Sequence, residues 1–271
     1  MLFGNKKCEN CGSNYDKALD TCPACGTRDA NFESYGVPKH MVWLSTWKQV
    51  VIFAIGLIGL QLVSLILELV LMTFMDVNSI GFLFYVNLFR YLIIAVAIAC
   101  VCIGSFSSFK NSFTKWYPYL IGLGAVFVIY GFNLIYGNFI NLIYPTTSND
   151  NQVAAESLMI AYPIACLFLF SFIAPFVEEM TYRVGLFTCL CRIKKWVAYV
   201  VSIIVFALIH FNFFASGSEM INELLNLPLY MFSGAVFCVL YDFFGLSASL
   251  TCHVSNNLFS LLLTLLLHYI K

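Results

Sequence analysis

The sequence predicts an all-α polytopic membrane protein with a small zinc ribbon of four cysteines at its N-terminus. Three observations predict it. Of 271 residues 61% are hydrophobic and only 10% charged, whereas soluble domains run at roughly 45–50% apolar and about 25% charged. Seven stretches reach the length of about 20 mostly apolar residues that crosses the roughly 30 Å hydrocarbon layer. Two Cys-x-x-Cys pairs stand within residues 1–30. Lys plus Arg and Asp plus Glu balance at 14 each, so no basic field draws the protein onto nucleic acid, and no nucleic-acid partner is expected.

The N-terminal segment is polar: residues 1–40 carry five basic and five acidic side chains. Residues 1–30 are read as the ribbon, 31–47 as a juxtamembrane linker and 48–271 as the membrane domain. No basic stretch leading into a short apolar core stands at Met1, so the first span is expected to direct insertion itself. Cys8-Glu-Asn-Cys11-Gly, nine residues, then Cys22-Pro-Ala-Cys25-Gly forms two knuckles. Each lets two thiolates face one tetrahedral ion, with glycine permitting the tight backbone behind it. Structural zinc is the expected occupant, because so small a segment needs a staple and a reducing compartment disfavours disulfides. Two disulfides, or iron on the same thiolates, are the alternatives. The remaining cysteines, Cys100, Cys102, Cys166, Cys189, Cys191, Cys238 and Cys252, read as packing residues.

The spans are expected over 48–74, 80–106, 116–143, 157–177, 196–214, 227–244 and 247–269. An amphipathic eighth piece over 178–191 extends the fourth, and Pro175 is expected to kink the join. Basic residues mark alternate connections: Lys39 and Lys48, then Lys110 and Lys115, then Arg192, Lys194 and Lys195. The others hold Asp76, then Asp150 and Glu156, then Glu219 and Glu223. Positive loops stay in the cytoplasm, which places the N-terminus there in a multi-pass protein of a bacterial cell membrane. Trp43, Trp47, Trp116, Tyr117 and Trp196 stand where interfacial aromatics belong.

Ionisable groups inside spans are costly and mark candidate sites. Glu68 and Arg90, in the first two spans, are expected to pair structurally. Glu178 and Glu179 are followed by Arg183, so Glu179 and Arg183 share a helical face while Glu178 points about 100° away. The free carboxylate suits general acid–base work; a solvated helix end with an ordinary ion pair is the bland reading. Phe206-Ala-Leu-Ile-His210 lies in the fifth span. In a hairpin turning near Lys194, Glu178 and His210 reach similar depth. His253 and Asn257, four apart, offer two neutral donors on one face, which suits an oxyanion site or simple helix–helix glue.

Glu-Glu-x-x-x-Arg, Phe-x-x-x-His and His-x-x-x-Asn, in this order in hydrophobic segments, together resemble the CPBP family of intramembrane proteases. That family, also called ABI, includes the type II CAAX prenyl endopeptidases. The resemblance covers roughly residues 157–268, within a protease core at about 116–270. It implies peptide-bond hydrolysis of a membrane-associated substrate, an active site open toward the cytoplasm, and frequent links to bacteriocin maturation or self-immunity. By motif position Glu178 activates water, His210 helps hold it, His253 and Asn257 stabilise the oxyanion, and Glu179 and Arg183 fix the geometry. No His-Glu-x-x-His is present, and no catalytic metal is expected, although Glu178, His210 and His253 can furnish three zinc ligands if they converge. Two other classes stay open: a non-catalytic membrane protein for self-immunity or envelope organisation, and a proton-relay transporter.

Overall fold

In a computed structural model the described residues are 4–31, 38, 40–145 and 147–270. Lys39 lies outside them. The N-terminal module is a hairpin of β1 (Asn5–Lys7) and β2 (Asn14–Asp16), paired antiparallel with Lys6 opposite Tyr15. Everything large is helical: α1 (Thr46–Leu71), α2 (Ile80–Cys102), a short α3 (Ser107–Phe113), α4 (Tyr117–Ile143), α5 (Asp150–Ala161), α6 (Pro163–Cys191), α7 (Lys195–Leu208), α8 (Ser218–Phe244) and α9 (Leu246–Ile270). Large apolar side chains on the outer faces, such as Ile66, Phe127, Leu142 and Phe168, are exposed. A bilayer, not water, is the solvent that makes such a surface stable.

Among the described residues six helices are long and apolar enough to span a membrane: α1, α2, α4, α6, α8 and α9. The fifth expected span, 196–214, is shorter than its apolar run. Helix α7 has 14 residues, about 21 Å at 1.5 Å per residue, less than the hydrocarbon layer needs. It stops because the His210 ring takes over a backbone role: Nδ1 lies 2.9 Å from the Phe206 carbonyl, and the His210 amide turns instead to Ala207 at 3.1 Å. The backbone then loops to Gly217, whose φ of 58° favours glycine, before α8 begins.

The fourth expected span also differs. Residues 150–161 form their own helix, and a break at Tyr162 precedes Pro163, which opens α6. Helix α6 then runs 29 residues to Cys191, continuing past Pro175. Residues 169–173 widen into a π-turn just before the proline, with Ala174 N–H bonding to Leu169 O. In that widened pattern the Pro175 nitrogen would face the Phe170 carbonyl, and having no hydrogen it leaves that carbonyl free. The expected amphipathic piece is no surface helix: residues 180–187 are buried throughout, in a second wide turn. Helix α1 packs directly on this stretch, and a Cβ on Gly185 would sit 3.0 Å from the Phe53 backbone nitrogen.

Glu68 and Arg90 do not pair. Glu68 is exposed and accepts from Ser64 at 3.2 Å, while the Arg90 Nη2 donates to Asn87 at 2.7 Å. Trp47, Trp116 and Trp196 are exposed, but Trp43 is buried beneath the Arg192 guanidinium.

Candidate active site

Helix α6 enters the middle of the bundle with Glu178, Glu179 and Arg183 all buried. The guanidinium of Arg183 approaches Glu179 Oε2 to 3.4 Å from Nε, a charge contact without good hydrogen-bond alignment. It is also held between the rings of Phe206 on α7 and Phe237 on α8, at 4.6 and 5.2 Å from their centroids. Such cation–π contacts are stronger away from water. Arg183 thus joins three helices, and Phe206 has a double task, supporting Arg183 with its ring and His210 with its carbonyl.

His253, from α9, bridges the two glutamates. Its Nδ1 lies 3.0 Å from Glu179 Oε1 and its Nε2 lies 3.6 Å from Glu178 Oε2. A hydrogen on Nδ1 donating to Glu179 leaves Nε2 as the nitrogen that faces Glu178, with the ring stacked on Phe237 at 4.4 Å. His210 stacks on Tyr230 at 4.5 Å. Because its Nδ1–H is spent on Phe206 O, its Nε2 is the free acceptor. Asn257 donates to the Phe170 carbonyl at 2.9 Å, the group that Pro175 strands.

Glu178, His210, His253 and Asn257 line one cavity of about 490 Å³. Glu179 and Arg183 stand behind its wall. Among the lining residues outside the sequence motifs are Tyr91, whose hydroxyl donates to Glu178 Oε1 at 3.2 Å, and its neighbour Arg90. The available signal was a paired basic and hydroxyl residue on an otherwise apolar span.

The cavity lies toward one end of the bundle. Its polar rim is Ser148, Asn149, Asn151, Gln152 and Asn226, reached where α4 ends and α8 begins. Glu223 binds that rim together by accepting from the amides of Asp150 and Asn212, at 2.9 and 3.0 Å, and from the Asn149 side chain. The cysteine module sits at the other end, where α1 begins and α6 finishes: Asp16 pairs with Arg192, which also donates to Gln49 and the Leu44 carbonyl. A ribbon in the cytoplasm and a site open toward the cytoplasm are therefore incompatible in this fold.

The thiol sulfurs of Cys8, Cys11, Cys22 and Cys25 all lie within 4.8 Å of one another, with Cys8–Cys25 at 3.6 Å and Cys11–Cys22 at 3.7 Å. A tetrahedral ion bound at about 2.3 Å to sulfur needs edges near 3.8 Å, so the cluster can hold a metal ion. Gly12 and Gly26, with φ of 71° and 72°, close the knuckles as expected. The Thr27 hydroxyl beside Cys25 pulls that thiol down to about 6 and Ser13 draws Cys11 below its ordinary value, which favours the thiolates that metals bind, whereas burial pushes Cys22 up to about 11. Among the described residues the histidine–carboxylate group of the cavity does not meet the same ligand spacing.

Residues 160–259 match the Type II CAAX prenyl endopeptidase Rce1-like family. UPF0177 protein YvdC of Lactococcus lactis subsp. lactis (strain IL1403) is 29% identical over 99 residues, 35% of this protein and 37% of that one. The match thus spans little more than a third of the relative, whose name states no activity. No solved structure matches the protein. Over residues 160–259, the stretch that holds every one of its three polar motifs, the sequence is similar to the Rce1-like type II CAAX prenyl endopeptidases.

Proposed function

We propose that the protein is an intramembrane endopeptidase hydrolysing a peptide bond of a membrane-associated protein or peptide, with Glu178 as general base. The observation that carries this is the convergence of Glu178, His210, His253 and Asn257 on one cavity with a polar mouth. Water held between Glu178 and the His210 Nε2 attacks the substrate carbonyl carbon while Glu178 takes its proton. The imidazolium Nε2–H of His253 and the second amide hydrogen of Asn257 stabilise the oxyanion. Glu178 then passes its proton to the amine as the C–N bond breaks, releasing a carboxylate and an amine. No metal ligand set is used in this scheme.

The reading extends to the rest of the molecule. The cysteine module binds structural zinc, and the Lys- and Arg-bearing ends hold it in the cytoplasm. The cavity then opens to the outer aqueous face, opposite to what the family resemblance implies.

Glu178→Gln keeps shape and removes the base, so turnover of a membrane-anchored peptide should fall by about 10²–10⁴-fold while the protein stays folded. Wild-type cleavage and wild-type function in cells by that variant would sink the proteolytic reading and leave a non-catalytic immunity or scaffold protein. Loss of activity in a chelator, restored by zinc with the ribbon intact, would instead put a metal on the water.

A further inference from the structure

Among the described residues Arg90 is the one Lys or Arg on the cavity wall, and no carboxylate pairs with it. Its Nη2 donates to Asn87 Oδ1 at 2.7 Å, its Nε is buried without a hydrogen-bond partner, and its guanidinium lies 5.1 Å from the Tyr91 ring centroid. Asn87 is itself buried and anchored by donating to the Leu83 carbonyl at 2.8 Å. The guanidinium is therefore supported at Nη2 and unsatisfied at Nε, on the wall of the cavity. A cation at mid-span with no carboxylate in direct ion-pair contact is costly, and a donor left unmade when buried is costlier than one never buried. An anionic guest would remove both costs.

The neighbourhood indicates what kind of guest. Tyr91, the next residue, holds Glu178, so a group seated on Arg90 lies beside the proposed general base. The same wall carries carboxamides, among them Asn133, whose buried Oδ1 has no partner, with Asn226, Asn256 and Asn257. Carboxamides pair with peptide N–H and C=O groups, and a guanidinium fork matches a carboxylate.

We propose that Arg90 is the subsite for a carboxylate of the substrate peptide, setting which bond is presented to Glu178. This rests on the endopeptidase reading of the cavity, but Arg90 lies outside the matched residues 160–259. The carboxylate comes from the peptide's free C-terminus or from an Asp or Glu side chain.

Binding tests it without turnover. Full-length protein carrying Glu178→Gln is placed in nanodiscs, and anisotropy is followed for three fluorescein-labelled five-residue peptides of alanine and valine. One ends in a free acid, one in an amide, and one in an amide with a single internal glutamate. At least one acid form should bind about tenfold or more tightly than the neutral amide, the scale of one charge-assisted pair, and whichever gains identifies the source. Arg90→Gln should abolish the advantage, and Arg90→Lys should keep part of it, both checked for folding by size exclusion. If both acid forms bind no better than the neutral amide, or the advantage survives Arg90→Gln, the subsite is wrong. Failure of the endopeptidase reading is seen separately, as full cleavage by protein with Glu178→Gln alone.

Discussion

The hydroxyl of Tyr91 on α2 donates to Glu178 Oε1 on α6 across 3.2 Å, while His253 Nε2 stands 3.6 Å from the other oxygen of the same carboxylate. One oxygen is thereby fixed and the other is left to the reacting groups. Tyr91→Phe removes the donor and keeps the ring. Turnover should fall about tenfold, the worth of a hydrogen bond to a charged group, with KM little changed because Tyr91 acts on Glu178. A raised KM at unaltered kcat would show that Tyr91 instead touches substrate.

Asn257 and Pro175 should behave as a coupled pair. Pro175 strands the Phe170 carbonyl and Asn257 satisfies it at 2.9 Å. Asn257→Ala should cost about 1–3 kcal/mol of stability through that orphaned acceptor. In a Pro175→Ala background, where residue 175 regains an N–H, the cost should shrink. A thermal-unfolding double-mutant cycle measures the difference, and strict additivity would show that the two residues are independent.

The cysteine module should hold one zinc per molecule. The double substitution Cys22→Ser, Cys25→Ser should release it and unfold residues 4–31, since binding supplies the folding free energy of so small a unit. Elemental analysis after mild purification reads the metal; less than about half an equivalent of zinc or iron would count against a metal ribbon.

Much of this was legible in the sequence because helical periodicity is local. The i, i+4 spacing put Glu179 with Arg183, and the hairpin count brought Glu178 and His210 to one cavity. What failed was what lies between helices or departs from 3.6 residues per turn. The expected Glu68–Arg90 pair did not form because nothing in an apolar span says which face turns inward: Arg90 faces the cavity and Glu68 the outside. Tyr91 was missed for the same reason. At Pro175 nothing in the sequence signalled the π-turn that precedes the proline, and the fifth span stops short at a side chain, His210, that competes with its own backbone. The cysteine module was the easiest element to read, since its four thiols and two glycines occupy one short stretch.

Sidedness is the last prediction. Helix α4 begins beside Lys115 and ends at Ile143, just before the rim residues Ser148, Asn149 and Asn151, so its length separates the cavity mouth from the Lys-rich end. The ribbon is tied to that Lys-rich end by Asp16 and Arg192. Basic residues in short loops are retained in the cytoplasm, and a thiolate metal site persists where disulfides do not. Single cysteines placed at positions 17, 151 and 194, after accessible native thiols are replaced, report on both ends in intact cells. An impermeant maleimide should label position 151 and spare positions 17 and 194 until the membrane is opened. Labelling of 17 or 194 with 151 protected would invert the protein, place the cavity mouth in the cytoplasm, and bring the site back to the orientation that the family resemblance implies.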